Sequence, residues 1–324
     1  MRCISKLLCI ICACSLLFTG CGFENNSMEK AYDVYSYHNS YTNQETSASV
    51  DFFAEDLCVT NTINFGLEDT YAEVAQGGGI FNVSTNEVLY SQNLFTKLYP
   101  ASTTKILTAY IIIRDCDLSS VVTVSEAAVN QADDSSTCGL RKGDNITVED
   151  LLYGLMLHSG NDAAETLAEH HSGSVEAFAE VMTKTAHDLG ATNSQFKNPS
   201  GLPDKEHYTT VYDMYLIFNK AIKQEKFVEI ISSKTKNAVY TNLNGNNVEK
   251  TFYNSNRYKT GAVKTPEGFQ IIGGKTGTTY DAGYCLVLYS KNPSGEDIIS
   301  IVFKADGVHN LYLLMSQILD KYAK

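Results

Sequence analysis

The chain has 324 residues, 44% of them apolar and 19% charged, with a formal net charge of −12. That length and apolar content allow a large buried core, in one large domain or two ordinary ones, and exclude a chain that is disordered throughout. The acidic balance, with no basic stripe, argues against a nucleic-acid partner.

From the N-terminus, Arg2 and Lys6 flank the start, Leu7 to Phe18 is a short apolar run, and Thr19-Gly20-Cys21 follows. A charged segment, an apolar segment and a small-residue site in that order read as an export signal. The run falls short of the roughly 20 apolar residues needed to span a bilayer. The small pair before a cysteine resembles a bacterial lipobox, with Cys21 as the lipidated first residue of the mature chain. Phe18 stands where leucine is usual, and an ordinary cleaved signal is the alternative. The expected organisation is a signal peptide over 1–21, a partly disordered tether over 22–71 rich in Asn, Ser, Thr, Tyr and Glu, and one domain over 72–324. After the signal and Cys21, four cysteines remain, Cys58, Cys116, Cys138 and Cys285. Their spacing fits no zinc motif, and sequence does not choose among their three possible pairings.

Within the expected domain, Ile80–Val83 and Glu87–Tyr90 read as strands joined by the turn Ser84-Thr85-Asn86, where Asn suits a left-handed position. Gly77-Gly78-Gly79 is not a phosphate loop, because no Gly-Lys-Ser/Thr follows. From Lys105, Ile106, Leu107, Tyr110, Ile111 and Ile113 describe a helix apolar on nearly every side, hence central. Thr147-Val148-Glu149-Asp150 resembles a capping box for a helix through Leu157. Asn161 or Asp162 can cap a second helix to about His171, and Ser174 a third that ends at Gly190. The periodicity then shortens. Gln270–Ile272, Tyr284–Tyr289 and Ile298–Phe303 read as strands, and a last helix runs from about His309 to Tyr322. Strands at both ends with helices between predict an α+β fold: an antiparallel sheet built from both ends of the domain, flanked by helices, with an inserted helical lobe.

Three strings carry chemistry. Ser102-Thr103-Thr104-Lys105 places a lysine one helical turn from a serine, within reach of its hydroxyl. Serine is a weak nucleophile until a base takes its proton, and lysine serves only if its pKa falls from about 10.4 towards 7 or 8, which burial and a second cation promote. Ser159-Gly160-Asn161 falls in the tight connection between two helices. Lys275-Thr276-Gly277 follows Gly273-Gly274 in a strand whose glycines admit another backbone. Further copies of these short patterns occur at Ser27–Lys30, Ser233–Lys236, Ser84–Asn86, Ser91–Asn93, Ser290–Asn292 and Lys259–Gly261. Their turn-like or polar surroundings set them aside.

Taken with Tyr99-Pro100-Ala101 before the first string, Asn198-Pro199-Ser200-Gly201-Leu202-Pro203, and Thr278-Thr279 and Ala282-Gly283 after the third, the chain from about Ala72 resembles the D-alanyl-D-alanine carboxypeptidases, the low-molecular-mass penicillin-binding proteins. The resemblance implies that Ser102 attacks the carbonyl between two D-alanines of a peptidoglycan stem peptide. Lys105 would be the general base and Ser159 a proton shuttle to the leaving amine. Asn161 would position the acyl-side amide, and Lys275 and Thr276, followed by Gly277, would hold the terminal carboxylate. The backbone N–H groups of Ser102 and Thr278 would form an oxyanion hole. It further implies acylation by β-lactams, no metal or organic cofactor, and a place outside the membrane, where the lipid expected on Cys21 would anchor the chain. One departure is that Gly307-Val308-His309-Asn310 lacks the arginine that some relatives place there for the carboxylate. A class A β-lactamase is the first rival, but no Glu-x-x-Leu-Asn loop follows the second string. A non-catalytic β-lactam-sensing or wall-binding lipoprotein is the second. His158, His170 and His171 form no metal pattern, and Glu165 and Glu169 read as a solvated helix face.

Overall fold

The computed structural model describes residues 54, 56–132 and 135–324. The chain divides after Phe53, and everything below concerns the unit Ala54–Lys324.

Two antiparallel sheets organise it. In chain order the elements are β1 (Gly77–Asn82), β2 (Glu87–Gln92), α1 (Lys105–Asp115), β3 (Val121–Thr123), α2 (Glu126–Val129), β4 (Asn145–Thr147), α3 (Val148–Leu157), α4 (Asn161–Ser172), α5 (Val175–Asp188), α6 (Val211–Ala221), α7 (Glu225–Ser232), β5 (Thr235–Thr241), β6 (Asn247–Tyr253), α8 (Arg257–Thr260), β7 (Gln270–Thr279), β8 (Gly283–Lys291), β9 (Asp297–Ala305) and α9 (Val308–Tyr322). The larger sheet runs β2-β1-β9-β8-β7, so strands from both ends of the unit meet where β1 pairs with β9. Asn86 takes φ +59° in the β1–β2 turn, as its residue type predicts.

One face of this sheet carries α9, whose Leu311, Leu314, Met315 and Ile318 pack with Ile80, Leu286, Leu288 and Val302. The other face carries the helical lobe. Helix α1 runs through the middle of that lobe with Ile106, Leu107, Ala109, Ile111 and Ile112 at 0% exposure, which accounts for its having no polar side. Thr147 and Ser174 cap α3 and α5 by accepting the expected N–H bonds, and Thr210 caps α6 in the same way. Helix α4 differs slightly: Gly160 is its cap residue and Asn161 its first helical residue.

Two features go beyond the elements and bounds read from sequence. A second sheet, β3-β4-β5-β6, forms beside the lobe. The hairpin β5–β6 buries only Ala238, Tyr240 and Phe252, so its alternation carries little apolar signal. The packed unit also starts before Ala72. Cys58 is fully buried, its N–H donates to the Tyr215 hydroxyl (2.8 Å), and Tyr212 donates to the Cys58 carbonyl (2.9 Å). Phe65 exchanges two backbone bonds with Ser91 at 2.9 and 3.1 Å. The residues expected to tether the domain thus pack on it from at least Leu57 onward, with Leu57 and Cys58 against the main core. The signal peptide, Cys21 and the first part of the expected tether lie outside the described residues.

Candidate active site

The 3-10 turn Ala101–Thr104 leads directly into α1 and carries Ser102. Ala101 sits at φ +47°, a left-handed conformation that costs a non-glycine residue about 1–3 kcal/mol and persists only where neighbours hold it. The neighbours are identifiable. Thr103 donates through both its hydroxyl (2.7 Å) and its N–H (3.2 Å) to the Pro100 carbonyl. Gly201 presses on the same turn, where a Cβ would lie 1.8 Å from the Ala101 carbonyl oxygen.

Lys105 follows one turn later and is completely buried. Its Nζ donates to Ser102 Oγ at 3.0 Å, to Asn161 Oδ1 at 2.7 Å and to the Ser200 carbonyl at 2.8 Å. Burial, and then the charge of Lys275, hold its pKa well below the ordinary lysine value. A neutral amine there offers a lone pair to the Ser102 proton.

The second string sits between α3 and α4, with Ser159 at φ +64°. Residues 136–140 buttress it. Asn161 donates its N–H to the Ser136 carbonyl (2.8 Å), and the Asp162 carboxylate accepts from the N–H groups of Cys138 (2.7 Å) and Leu140 (3.0 Å). Gly160 admits this segment, since a Cβ would stand 2.3 Å from Cys138 Sγ. The backbone thereby aims Asn161 at Lys105 and Ser159 at β7.

On β7, the Lys275 Nζ donates to Ser159 Oγ (3.0 Å) and to the Thr276 carbonyl (2.8 Å). It is also buried, and burial lowers its pKa from 10.5 to about 7. Gly277 allows the strand to lie against the nucleophile turn: a Cβ would be 2.9 Å from the Pro100 carbonyl and 3.0 Å from the Ser102 nitrogen. Gly273 similarly admits the Ile231 carbonyl, which a Cβ would meet at 2.2 Å. Thr276 Oγ1 is 2.7 Å from Ser255 Oγ, and Thr276 and Thr278 line a cavity of about 200 Å³.

Comparison with known proteins gives the family. Residues 73–307 match the D-alanyl-D-alanine carboxypeptidase family. The chain belongs to that family. It is 33% identical over 256 residues to D-alanyl-D-alanine carboxypeptidase DacF of Bacillus subtilis, an alignment covering 77% of this chain and 62% of the relative. It is 32% identical to DacC of Escherichia coli, covering 70% of this chain and 55% of the relative. The crystal structure of a Streptomyces DD-transpeptidase superposes with a TM-score of 0.71 at 30% identity, over 76% of this chain and 96% of that one. The chain therefore has the DD-peptidase fold, while it spans a little over half the length of the curated Bacillus and Escherichia relatives.

For this family member, the structure gathers two adjoining hydrogen-bonded sets, Lys105 with Ser102 and Asn161, and Lys275 with Ser159, with Gly277 beside the nucleophile and Thr276 and Thr278 flanking it on β7. Two of the set-aside copies lie elsewhere: Lys259 is in α8, with Gly261 as its left-handed cap, and Ser233 follows α7. The copy at Ser27–Lys30 lies outside the described residues. Sequence reasoning missed several supports. Ser200 acts through a backbone carbonyl, although its string was already noted. His207 receives the Lys197 N–H on Nδ1 (3.2 Å), so its Nε2–H points to Thr104 Oγ1 (2.9 Å), and burial lowers its pKa to about 4. It carried no signal in the sequence. Glu165, expected on a solvated face, is half-buried, and burial raises its pKa. His171 contacts Asp115 at 3.2 Å, away from the cleft. All four cysteines from Cys58 onward are free thiols, and Cys285 is a buried strand residue.

Proposed function

We propose that the protein is a serine-type D-Ala-D-Ala carboxypeptidase that removes the terminal D-alanine from peptidoglycan stem peptides and is acylated by β-lactams. The observation that carries this reading is the 3.0 Å contact between Ser102 Oγ and a completely buried Lys105 amine. Neutral Lys105 takes the Ser102 proton as Oγ bonds to the carbonyl carbon. Backbone N–H groups at Ser102 and Thr278 face the developing oxyanion. Ser159, accepting from Lys275, keeps its own proton for the leaving amine. The C–N bond breaks, D-alanine departs, and water hydrolyses the ester to restore Ser102. Asn161 orients the acyl-side amide and anchors Lys105. Lys275, Thr276 and Thr278 receive the terminal carboxylate.

The same reading places the enzyme outside the membrane, anchored by a lipid on Cys21. Cys21→Ser should abolish incorporation of labelled palmitate and release the protein from membranes. For the chemistry, intact-mass analysis should show one penicilloyl adduct in the native chain and none in Ser102→Ala, together with D-alanine release from a pentapeptide. Rapid turnover of penicillin without D-alanine release would make it a β-lactamase. No adduct would leave a wall-binding protein.

A further inference from the structure

A second cavity, of about 460 Å³, opens at the C-terminal end of β7, where Thr278, Thr279, Tyr280, Lys304 and Asp306 line it. We propose that this cavity receives the side chain of the stem residue that precedes the two D-alanines. It suits a side chain ending in an α-amino acid, with Lys304 taking the carboxylate and Asp306 the ammonium. This assignment rests on the carboxypeptidase reading and names the part of the stem that the enzyme selects.

The catalytic groups set the direction of the substrate along β7. In the carboxypeptidase reading the terminal carboxylate lies at Lys275 and Thr276, and the scissile carbonyl at the Thr278 N–H. The acyl side therefore continues towards Thr279 and Tyr280, where the cavity opens. An extended chain advances about 3.3 Å per residue, so the residue before the D-alanine pair falls within one or two positions of Thr278. A local distortion presents Lys304 there. Tyr284 pairs with Ala305 but Leu286 pairs with Val302, so β9 carries one residue more than β8 and bulges. Lys304 sits in the bulge at φ +56°, a left-handed conformation that is costly for a non-glycine residue. Gly283 gives it room: a Cβ there would stand 2.7 Å from the Ala305 carbonyl oxygen and 3.4 Å from Cα and Cγ of Lys304. Bulges re-aim side chains beside active sites, and backbone strain of this kind gathers at ligand clamps. Lys304 is half-buried, and among the described residues neither it nor Asp306 joins an ion pair. Asp306 accepts one bond on Oδ1, from Asn310 Nδ2 at 2.8 Å. Two opposite charges without ionic partners on one cavity wall complement a group that carries both signs. A lone amine or a lone carboxylate would meet attraction from one and repulsion from the other.

The test measures D-alanine release by the full chain from two peptides that differ in the residue before the D-alanine pair. One carries meso-diaminopimelate, whose side chain ends in an ammonium and a carboxylate. The other carries lysine, which ends in an ammonium alone. The native enzyme should favour the first about 10-fold in kcat/KM, mainly through KM, and Lys304→Met should bring the ratio close to one. Asp306→Asn should lower kcat/KM for both peptides by a similar factor, since both carry the ammonium. Lys304→Gly relieves the left-handed backbone, so it should lose the preference while raising the denaturation midpoint, which separates selectivity from folding. Equal rates on the two peptides in the native enzyme, or a preference that survives Lys304→Met, overturn the assignment. Calorimetry in a Ser102→Ala background keeps it apart from the activity itself. Lys304-dependent binding of the diaminopimelate peptide, without D-alanine release by the native chain, would remove the hydrolytic reading and leave the assignment standing. Failure of that peptide to bind would overturn the assignment.

Discussion

Two buried lysines in one cleft must divide the labour of charge. Lys105 is pushed down by burial and by Lys275, so it can act as a base; Lys275 is lowered to about 7 and must keep its proton to serve Ser159 and the carboxylate. The expected kcat/KM profile is a bell, rising as Lys105 loses its proton and falling from about pH 7 upward as Lys275 does. Lys275→Arg should move the alkaline limb out of range, even if it lowers the maximum. Stability follows the same shift. Lys275 binds its proton less tightly folded than unfolded, so its unfavourable contribution is fully present below about pH 7 and disappears as pH rises towards 10.5. Chemical denaturation should therefore show a positive slope of stability with pH in that window, weakened in Lys275→Met. Ser102, Lys105, Ser159 and Lys275 were legible in the sequence because their residue types and spacing are the chemistry. The Ser200 carbonyl and His207 were not: a backbone acceptor has no side-chain signature, and a lone histidine carries no motif.

At the level of elements, glycine decides how closely the nucleophile turn and β7 approach. Gly277→Ala would put a methyl group 2.9 Å from the Pro100 carbonyl and 3.0 Å from the Ser102 nitrogen. The strand edge can retreat, so the expected result is a folded protein whose penicillin acylation rate drops by roughly 100-fold or more, read by stopped-flow labelling. Gly201→Ala has no such escape, because its φ of +84° and the Ala101 carbonyl oppose the same methyl. It should lose several kcal/mol of stability, on the order of 3 kcal/mol, in denaturant titrations. Helices α1, α3, α5 and α9 announced themselves through caps and apolar periodicity. The β5–β6 hairpin did not, since one face is solvated and the polar residues Thr, Lys and Asn fill half of its positions.

For the molecule as a whole, the stretch before β1 is part of the folded body. Cys58 is fully buried and hydrogen-bonded to Tyr215, whose ring stacks on Phe81 with centroids 4.1 Å apart. Tyr215→Phe keeps the stack and leaves the Cys58 N–H without its acceptor, so it should cost about 1–3 kcal/mol and leave KM unchanged. Calorimetry and a D-alanine assay on the same sample would check both halves. Read as one stretch with the Asn- and Ser-rich residues before it, this segment showed no sustained periodicity, and that hid the docking.

The pairing of β1 with β9 has a further consequence, for assembly. The central sheet is sealed by strands made after the helical lobe, so a polypeptide that has not yet reached β9 holds its first hairpin with one rim bare. Until β9 arrives that rim stays open to proteases and chaperones alike, and the slow event in maturation should be the joining of β1 to β9 rather than the winding of any helix.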